Sequence, residues 1–314
     1  MLNNIKHAKT IKMKKKVKKF GNSLCITLDT EDKDIYDIEK DDFIDIEIKK
    51  VIKHKPSEEQ EATKKPKIKT KAIIVAAGKG ARLGGLLQEP KCMLEIGGKT
   101  ILRRAIDTFK ACGINDIIIV RGYEKDKISY SDVRYYEDRD PQGILSSLMV
   151  AEKEMSDEFI FTYSDILFKK SIIEKVLQSK ADIALVIDTD WISHYVGRTD
   201  HPIAEAENVI ILGDKVTRIG KNLSAEESHG EFIGIAKFSK KGANALREVY
   251  RSLKKRFKGK LFHEAREFEK AYLTDMIQEL INRGYNVAPV KIKGGWHELD
   301  TLQDLGRLSL LYRL

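Results

Sequence analysis

Residues 72–91, AIIVAAGKGARLGGLLQEPK, run from an apolar stretch into a loop of small residues and end on two cations. Small side chains at Ala76, Ala77, Gly78 and Gly80 leave backbone N–H groups open to close approach by an anion, as in concavities that hold phosphate oxygens. Arg82 and Lys91 then supply positive charge, the arginine as a planar fork and the lysine as a point. Gly78, Gly80 and Gly84 are spaced G-x-G-x-x-x-G, which misses the dinucleotide fingerprint, and no Gly-Lys-Ser/Thr follows at P-loop distance. A tight turn at a sheet edge accounts for the glycines but leaves the two cations unexplained. The remaining reading is a loop for a nucleotide triphosphate.

Phosphoryl chemistry asks for a divalent ion, and Mg²⁺ takes one or two carboxylates with water and phosphate oxygens around them. Asp165 ends the strand-like FIFTYSD, where a side chain projects from a strand's carboxyl end toward a ligand crevice. Asp300 follows two glycines and an extended segment in GGWHELDT. The histidines are scattered, His194 and His201 standing seven apart, so the spacing gives no zinc motif. No Ser/His/Asp or Cys/His arrangement is suggested, and in-line attack between phosphates needs positioning and charge more than a covalent nucleophile.

These groups need a scaffold. With 314 residues, 42% of them hydrophobic, the chain can bury a sizeable core. Its net charge of +9 suits a phosphorylated or nucleic-acid partner. The three cysteines, Cys25, Cys92 and Cys112, form no CxxC pair, and neither a signal core nor a membrane-length apolar run is present, so a reducing cytoplasm is expected. From Lys71 onward strand-like runs at 72–76, 117–120, 158–163 and 183–187 alternate with helix-like stretches at 101–112, 143–153 and 171–179. That alternation predicts an α/β domain over 71–314 with a mostly parallel, Rossmann-like sheet covered by helices on both faces. Thr100 is the expected cap of the first helix and Gly113 its end.

The first seventy residues differ. KHAKTIKMKKKVKK (6–19) is lysine-rich and 52–70 is a charged, proline-bearing linker. Between them KKFGNSLCITL (18–28) carries a Gly-Asn turn signal, and DDFIDIEIKKV (41–51) alternates with period two. Residues 1–51 thereby resemble the swapped-hairpin AbrB/MazE family, whose small β units dimerise and often bind DNA. The resemblance implies an even number of chains, a homo-oligomer, with DNA contact as the other possible role; a solvated lysine tail is the plain alternative.

AAGKGARLGG…EPKCMLEIGGKTILRRAID also resembles the signature of nucleotidyltransferases with a glycosyltransferase-A-like fold, L-A-A-G-x-G-x-R-L followed by P-K. The resemblance implies that Gly78, Gly80, Arg82 and Lys91 hold the NTP, and that Asp165 and Asp300 stand where the family carries its two metal aspartates. It also implies a later polar loop against the base, here PQGILSSL, with Gln142, Gly143 and Ser146 as contacts; a capped surface helix is the plain alternative there. With DTDWISHYVGRTDHPIAEAENV, GEFIGIAKFS and GWHELDT the resemblance narrows to cytidylyltransferases that activate phosphonates or phosphocholine, including those joined to phosphoenolpyruvate mutase. This implies a Mg²⁺-dependent transfer of CMP from CTP to a small phosphonate or phosphate monoester such as 2-aminoethylphosphonate, 2-hydroxyethylphosphonate or phosphocholine, with release of pyrophosphate. In the acceptor pocket Arg198 and His201 are the expected anion contacts. Glu205, Glu207 and Glu231 suit a cationic tail, and Trp296, Trp191 or Tyr195 could give a cation-π face or simply pack the core. A sugar or inositol 1-phosphate acceptor stays open, as does a DNA-binding regulator with a ligand-sensing domain.

Overall fold

The computed structural model describes strands 17–20 and 23–26, residues 70–80 and residues 89–311. The chain divides into two compact units, Met1–Glu61 and Ala62–Leu314. In the first, β1 (Val17–Phe20) and β2 (Ser23–Ile26) pair antiparallel with Phe20 opposite Ser23, so Gly21 and Asn22 separate the strands. The second expected arm at 41–51 and the linker at 52–69 lie outside the described residues, as do most of the lysine run and Arg82.

The second unit opens with β3 (Lys71–Ala76), β4 (Glu95–Ile96), β5 (Lys99–Thr100) and α1 (Ile101–Ala111). The α1 cap is as expected: the Thr100 hydroxyl accepts from Arg103 N–H at 3.0 Å, and Gly113 beyond the helix takes φ 84°, a conformation glycine adopts without strain. There follow β6 (Ile117–Arg121), β7 (Arg134–Glu137), α2 (Ile144–Val150), β8 (Phe159–Tyr163), β9 (Ile166–Phe168) and α3 (Lys170–Leu177). Then come β10 (Ile183–Asp188), α4 (Ile192–Tyr195), β11 (Asn208–Leu212), β12 (Lys215–Gly220) and β13 (Gly230–Phe238). The chain closes with α5 (Lys240–Arg256), α6 (Leu273–Asn282), β14 (Val287–Ile292), β15 (Trp296–Glu298) and α7 (Leu302–Leu311).

Nine strands form one mixed sheet. β8, β3, β6 and β7 run parallel in that order, and β10 runs parallel to β14. The antiparallel β13 joins these groups, pairing with β10 along its length, with β11 near its start and with β8 near its end. Gly234, at φ 79°, sits where a Cβ would fall 2.2 Å from the Tyr163 ring, so only glycine lets β13 cross that side chain. Both faces are covered because alternate strand residues feed different cores. Ile73, Val75, Phe159 and Phe161 pack against α2, α5 and α6, whereas Ala72, Ile74, Ile117 and Ile160 pack against α1 and α3. The cross-strand pair Phe159 and Phe238 stacks at 4.9 Å, an arrangement that adds about 1 kcal/mol beyond area burial.

A third cluster positions the chemistry. Leu94, Ile96, Ile101, Leu167, Leu299 and Leu308 bury together, tying the turn after β15 to the residues after Lys91.

Candidate active site

Parallel strands bring their carboxyl ends to one edge, and the loops leaving them gather there. Ala76 and Ala77 are buried at the end of β3, Gly78 is exposed, and Gly80 takes φ 61° with its Cβ position 3.2 Å from Lys91 Cβ. The next loop leans on this one: Tyr123 N–H donates to the Ala77 carbonyl at 3.0 Å, and a Cβ on Gly122 would lie 2.9 Å from that same oxygen.

The loop from β7 into α2 is internally bonded. Gln142 donates to Asp140 at 2.6 Å, and Ser146 Oγ both accepts from Gly143 N–H and donates to its carbonyl. Gly143 carries a packing constraint of its own, because a Cβ there would stand 2.8 Å from the backbone of Lys270. Gly143 and Ser146 therefore have structural duties as the cap of α2, whatever else they contact.

Lys91 begins a 3₁₀ turn after Pro90. Its ammonium lies 2.5 Å from Asp165 Oδ2 and 2.5 Å from Asp300 Oδ1. The two aspartates converge because β15 pairs antiparallel with β9, Glu298 opposite Ile166, and Leu299 N–H donates to the Asp165 carbonyl at 3.0 Å. Asp165 thus precedes one strand of the ribbon and Asp300 follows the other. Burial works against the Lys91 charge, but Asp165, Asp300 and Glu298 outweigh it and hold the ammonium above its ordinary pKa. Asp165 Oδ1 is buried with no hydrogen-bond partner among the described residues, so this pair has donor capacity left for a hard divalent ion and fits Mg²⁺.

A cavity of about 210 Å³ opens beside the aspartates. His201, Glu205, Glu231 and Trp296, all expected at the acceptor, line it together with Asp165 and Asp300. Trp296 donates its indole N–H to Asp188 at 2.7 Å and stacks on His194. Tyr195 donates to Glu231 Oε1 at 2.5 Å, while Glu231 Oε2 is buried and unpartnered among the described residues. Burial, followed by neighbouring carboxylates, pushes Glu231 up to about 8; burial also lifts Glu207, which accepts from Tyr163 at 2.9 Å, to about 7. His201 Nδ1 stands 2.8 Å from Asp300 Oδ2 without the alignment of a hydrogen bond. His201, Glu298 and Asp300 each offer a ligand atom within 4.8 Å of the other two.

Arg198 lies elsewhere than expected. Its side chain is 5% exposed, forks onto Asp304 at 2.7 and 2.8 Å, and reaches Glu298 at 3.3 Å, so it is a strut behind the cavity and does not line it. Sequence reasoning missed Lys221, Tyr272 and Glu298. Lys221 pairs with Glu205 at 3.2 Å and lies 4.9 Å from the Tyr272 ring. Glu298 had a signal: Glu-x-Asp around a strand end puts two carboxylates on one face.

Residues 72–222 match the family described as the MobA-like NTP transferase domain. The chain is 29% identical over 249 residues to the CTP:phosphoglutamine cytidylyltransferase of Campylobacter jejuni, covering 74% of this chain and 97% of that one. The fold is similar to the solved inositol-1-phosphate CTP transferase of T. maritima, with a TM-score of 0.58, 20% identity and coverage of 77% and 96% of the two chains. It is similar too to the CTP:phosphocholine cytidylyltransferase of Streptococcus pneumoniae, with a TM-score of 0.56, 21% identity and coverage of 77% and 98%. No helix among the described residues is long and apolar enough to cross a membrane. The chain is an enzyme of the nucleotidyltransferase class, and its residues 72–222 are similar to the MobA-like NTP transferase domain.

Proposed function

We propose that this enzyme is a cytoplasmic cytidylyltransferase, moving CMP from CTP to a small phosphonate or phosphate monoester with a cationic or polar tail and releasing pyrophosphate. Acceptors of the 2-aminoethylphosphonate, 2-hydroxyethylphosphonate or phosphocholine type fit this description. The observation that carries the reading is the adjacency of two unlike environments. The Lys91 clamp between Asp165 and Asp300 suits a triphosphate with its ion, and the cavity beside it carries buried Glu207 and Glu231 under Tyr163 and Trp296. Glu231 Oε2, buried without a partner, has capacity for an ammonium or hydroxyl donor. The choice of CTP rests on the Campylobacter relative, whose name states it.

In this mechanism an acceptor phosphorus oxygen, already anionic at neutral pH, attacks the α-phosphorus in line, and the bond to the pyrophosphate oxygen breaks as the new P–O bond forms. No general base is required, so the work is positioning and charge. Backbone N–H groups around Gly78 and Gly80 hold the phosphates, and Lys91 with Arg82 offsets charge growing on the leaving group. Asp165 and Asp300 would hold Mg²⁺, which when bound neutralises charge between the phosphates.

The test is pyrophosphate release with Mg²⁺, each of the four NTPs, and a panel of 2-aminoethylphosphonate, 2-hydroxyethylphosphonate, phosphocholine, inositol 1-phosphate and glucose 1-phosphate. Asp165→Asn serves as the control. Turnover with CTP and one of the first three, abolished by Asp165→Asn, is expected. Turnover restricted to sugar or inositol phosphates, or absent with every pair, would overturn the proposal.

A further inference from the structure

We propose that His201, Glu298 and Asp300 form a second divalent-cation site that takes an imidazole-tolerant ion, Mn²⁺ in preference to Mg²⁺, and seats the phosphorus oxygens of the acceptor. Its role at the acceptor rests on the transfer reading above; its existence does not.

His201 is 4% exposed, and its Nδ1 has no hydrogen-bond partner among the described residues although Asp300 Oδ2 is only 2.8 Å away. Two donors each about 2.1 Å from one ion and at right angles to each other stand about 3.0 Å apart, so the pair has the separation of adjacent ligands. Glu298 completes the set, since one ligand atom from each of the three residues lies within 4.8 Å of the other two. Asp300 serves both positions with different oxygens, Oδ1 toward Lys91 and Oδ2 toward His201.

The ligands are also held in place from behind. Asp304 Oδ2 accepts from Asp300 N–H at 3.0 Å and from Thr301 N–H at 2.9 Å, while Arg198 grips both Asp304 and Glu298. Such outer contacts orient metal ligands.

The charge of the cavity calls for a cation as well. Six carboxylates line the cavity, those of Asp165, Glu205, Glu207, Glu231, Glu298 and Asp300, against Lys221 and His201. An anionic phosphorus group entering there needs further positive charge, and Lys221 is already paired with Glu205. One imidazole with two carboxylates suits Mn²⁺ or Zn²⁺ better than Mg²⁺, which prefers oxygen alone.

The rival explanation is a plain ion pair between protonated His201 and Asp300. To decide, the full chain is loaded with Mn²⁺ without nucleotide and examined by electron spin echo modulation for coupling to ¹⁴N. Coupling in the native protein, lost in His201→Gln, is expected, with Glu298→Gln weakening Mn²⁺ affinity by about tenfold or more. Bound Mn²⁺ without nitrogen coupling, coupling that survives in His201→Gln, or no bound Mn²⁺ would each overturn the site. Should His201→Gln fail to fold, the native spectrum and the Glu298→Gln titration still decide. Turnover of CTP in Mg²⁺ without nitrogen coupling would sink this site and leave the transfer reading standing; coupling without turnover would do the reverse.

Discussion

Replacing Arg198 separates a strut from a substrate contact. The side chains of Arg198 and Asp304 are each 5% exposed, with two guanidinium bonds of 2.7 and 2.8 Å and a weaker one of 3.3 Å to Glu298. Removing one partner of such a buried pair costs about 3–5 kcal/mol, because it strands the other charge. Asp304 keeps the N–H groups of Asp300 and Thr301 and the Thr301 hydroxyl, so the lower end applies to Arg198→Met. A loss of about 3 kcal/mol lowers the melting temperature of a unit this size by about 6–12 °C. Arg198→Lys keeps the charge but not the fork and should lose about 1–2 kcal/mol. Because the same contacts hold the Asp300 turn, kcat should fall together with stability. Scanning fluorimetry and pyrophosphate release read the two effects. If Arg198→Met melted like the native chain yet raised the acceptor KM tenfold, Arg198 would be an acceptor ligand and the strut argument wrong. Asp304→Asn combined with Arg198→Met should cost less than the sum of the singles, since both break one pair.

Lys91→Met should lower pyrophosphate release about 100–1,000-fold with little change in acceptor KM, the loss expected for one preorganised charge at the transition state; a fall under threefold would remove Lys91 from the mechanism. Two glycines should behave oppositely. Gly143→Ala drives a Cβ into the Lys270 backbone and should destabilise by about 1–3 kcal/mol, whereas Gly78→Ala meets no atom of the described residues within 4 Å and should leave melting unchanged while its Cβ blocks close approach of a phosphate oxygen to the N–H, raising the nucleotide KM about tenfold. Calorimetry and initial-rate kinetics check both, and an inert Gly78→Ala would argue against phosphate contact at that loop. Burial raises Glu231 from its ordinary value to about 8, so between about pH 5 and 8 the unfolded chain binds fewer protons than the folded one. Stability contributed by this group is therefore full below the unfolded pKa and declines as pH rises toward 8, by up to about 1.4 kcal/mol per unit. Urea midpoints should show a decline that Glu231→Gln flattens, and an identical slope in both proteins would refute it.

The strands β3, β6, β8 and β10 were readable because each is a short, almost wholly buried run, as at Ala72–Ala76 and Ile117–Val120, whereas β7, β11, β12 and β14 carry exposed or half-buried positions and were not; α1 was readable because a cap, an apolar face and a terminal glycine agree. Asp165 could be placed because it follows the buried run of β8, and Lys91 because its Pro-Lys pair marks the loop's end. GEFIGIAKFS was legible as a strand, but its antiparallel direction was not, because an apolar run looks the same either way and the direction follows from where the chain returns after β12.

Partners distant in sequence were not readable at all. Arg198 has the residue type of an anion contact, and only the ribbon of β9 and β15 with the start of α7 reveals that it meets a carboxylate 106 positions away. Gly143 was read as an open backbone at a ligand and is constrained by Lys270, which arrives from the far half of the chain. Lys221 follows an edge strand with nothing local to mark it. The match to the NTP transferase family ends at residue 222, yet Glu231, Trp296, Glu298 and Asp300 lie beyond it and line the same cavity. The glycine loop, Lys91 and Asp165 lie within the match, and in the proposed reading they serve the nucleotide. In the proposed reading, acceptor choice lies with cavity side chains on both sides of that boundary, His201, Glu205 and Lys221 within the match and Glu231, Trp296 and Glu298 beyond it, and substitutions that change acceptor but not nucleotide should concentrate there.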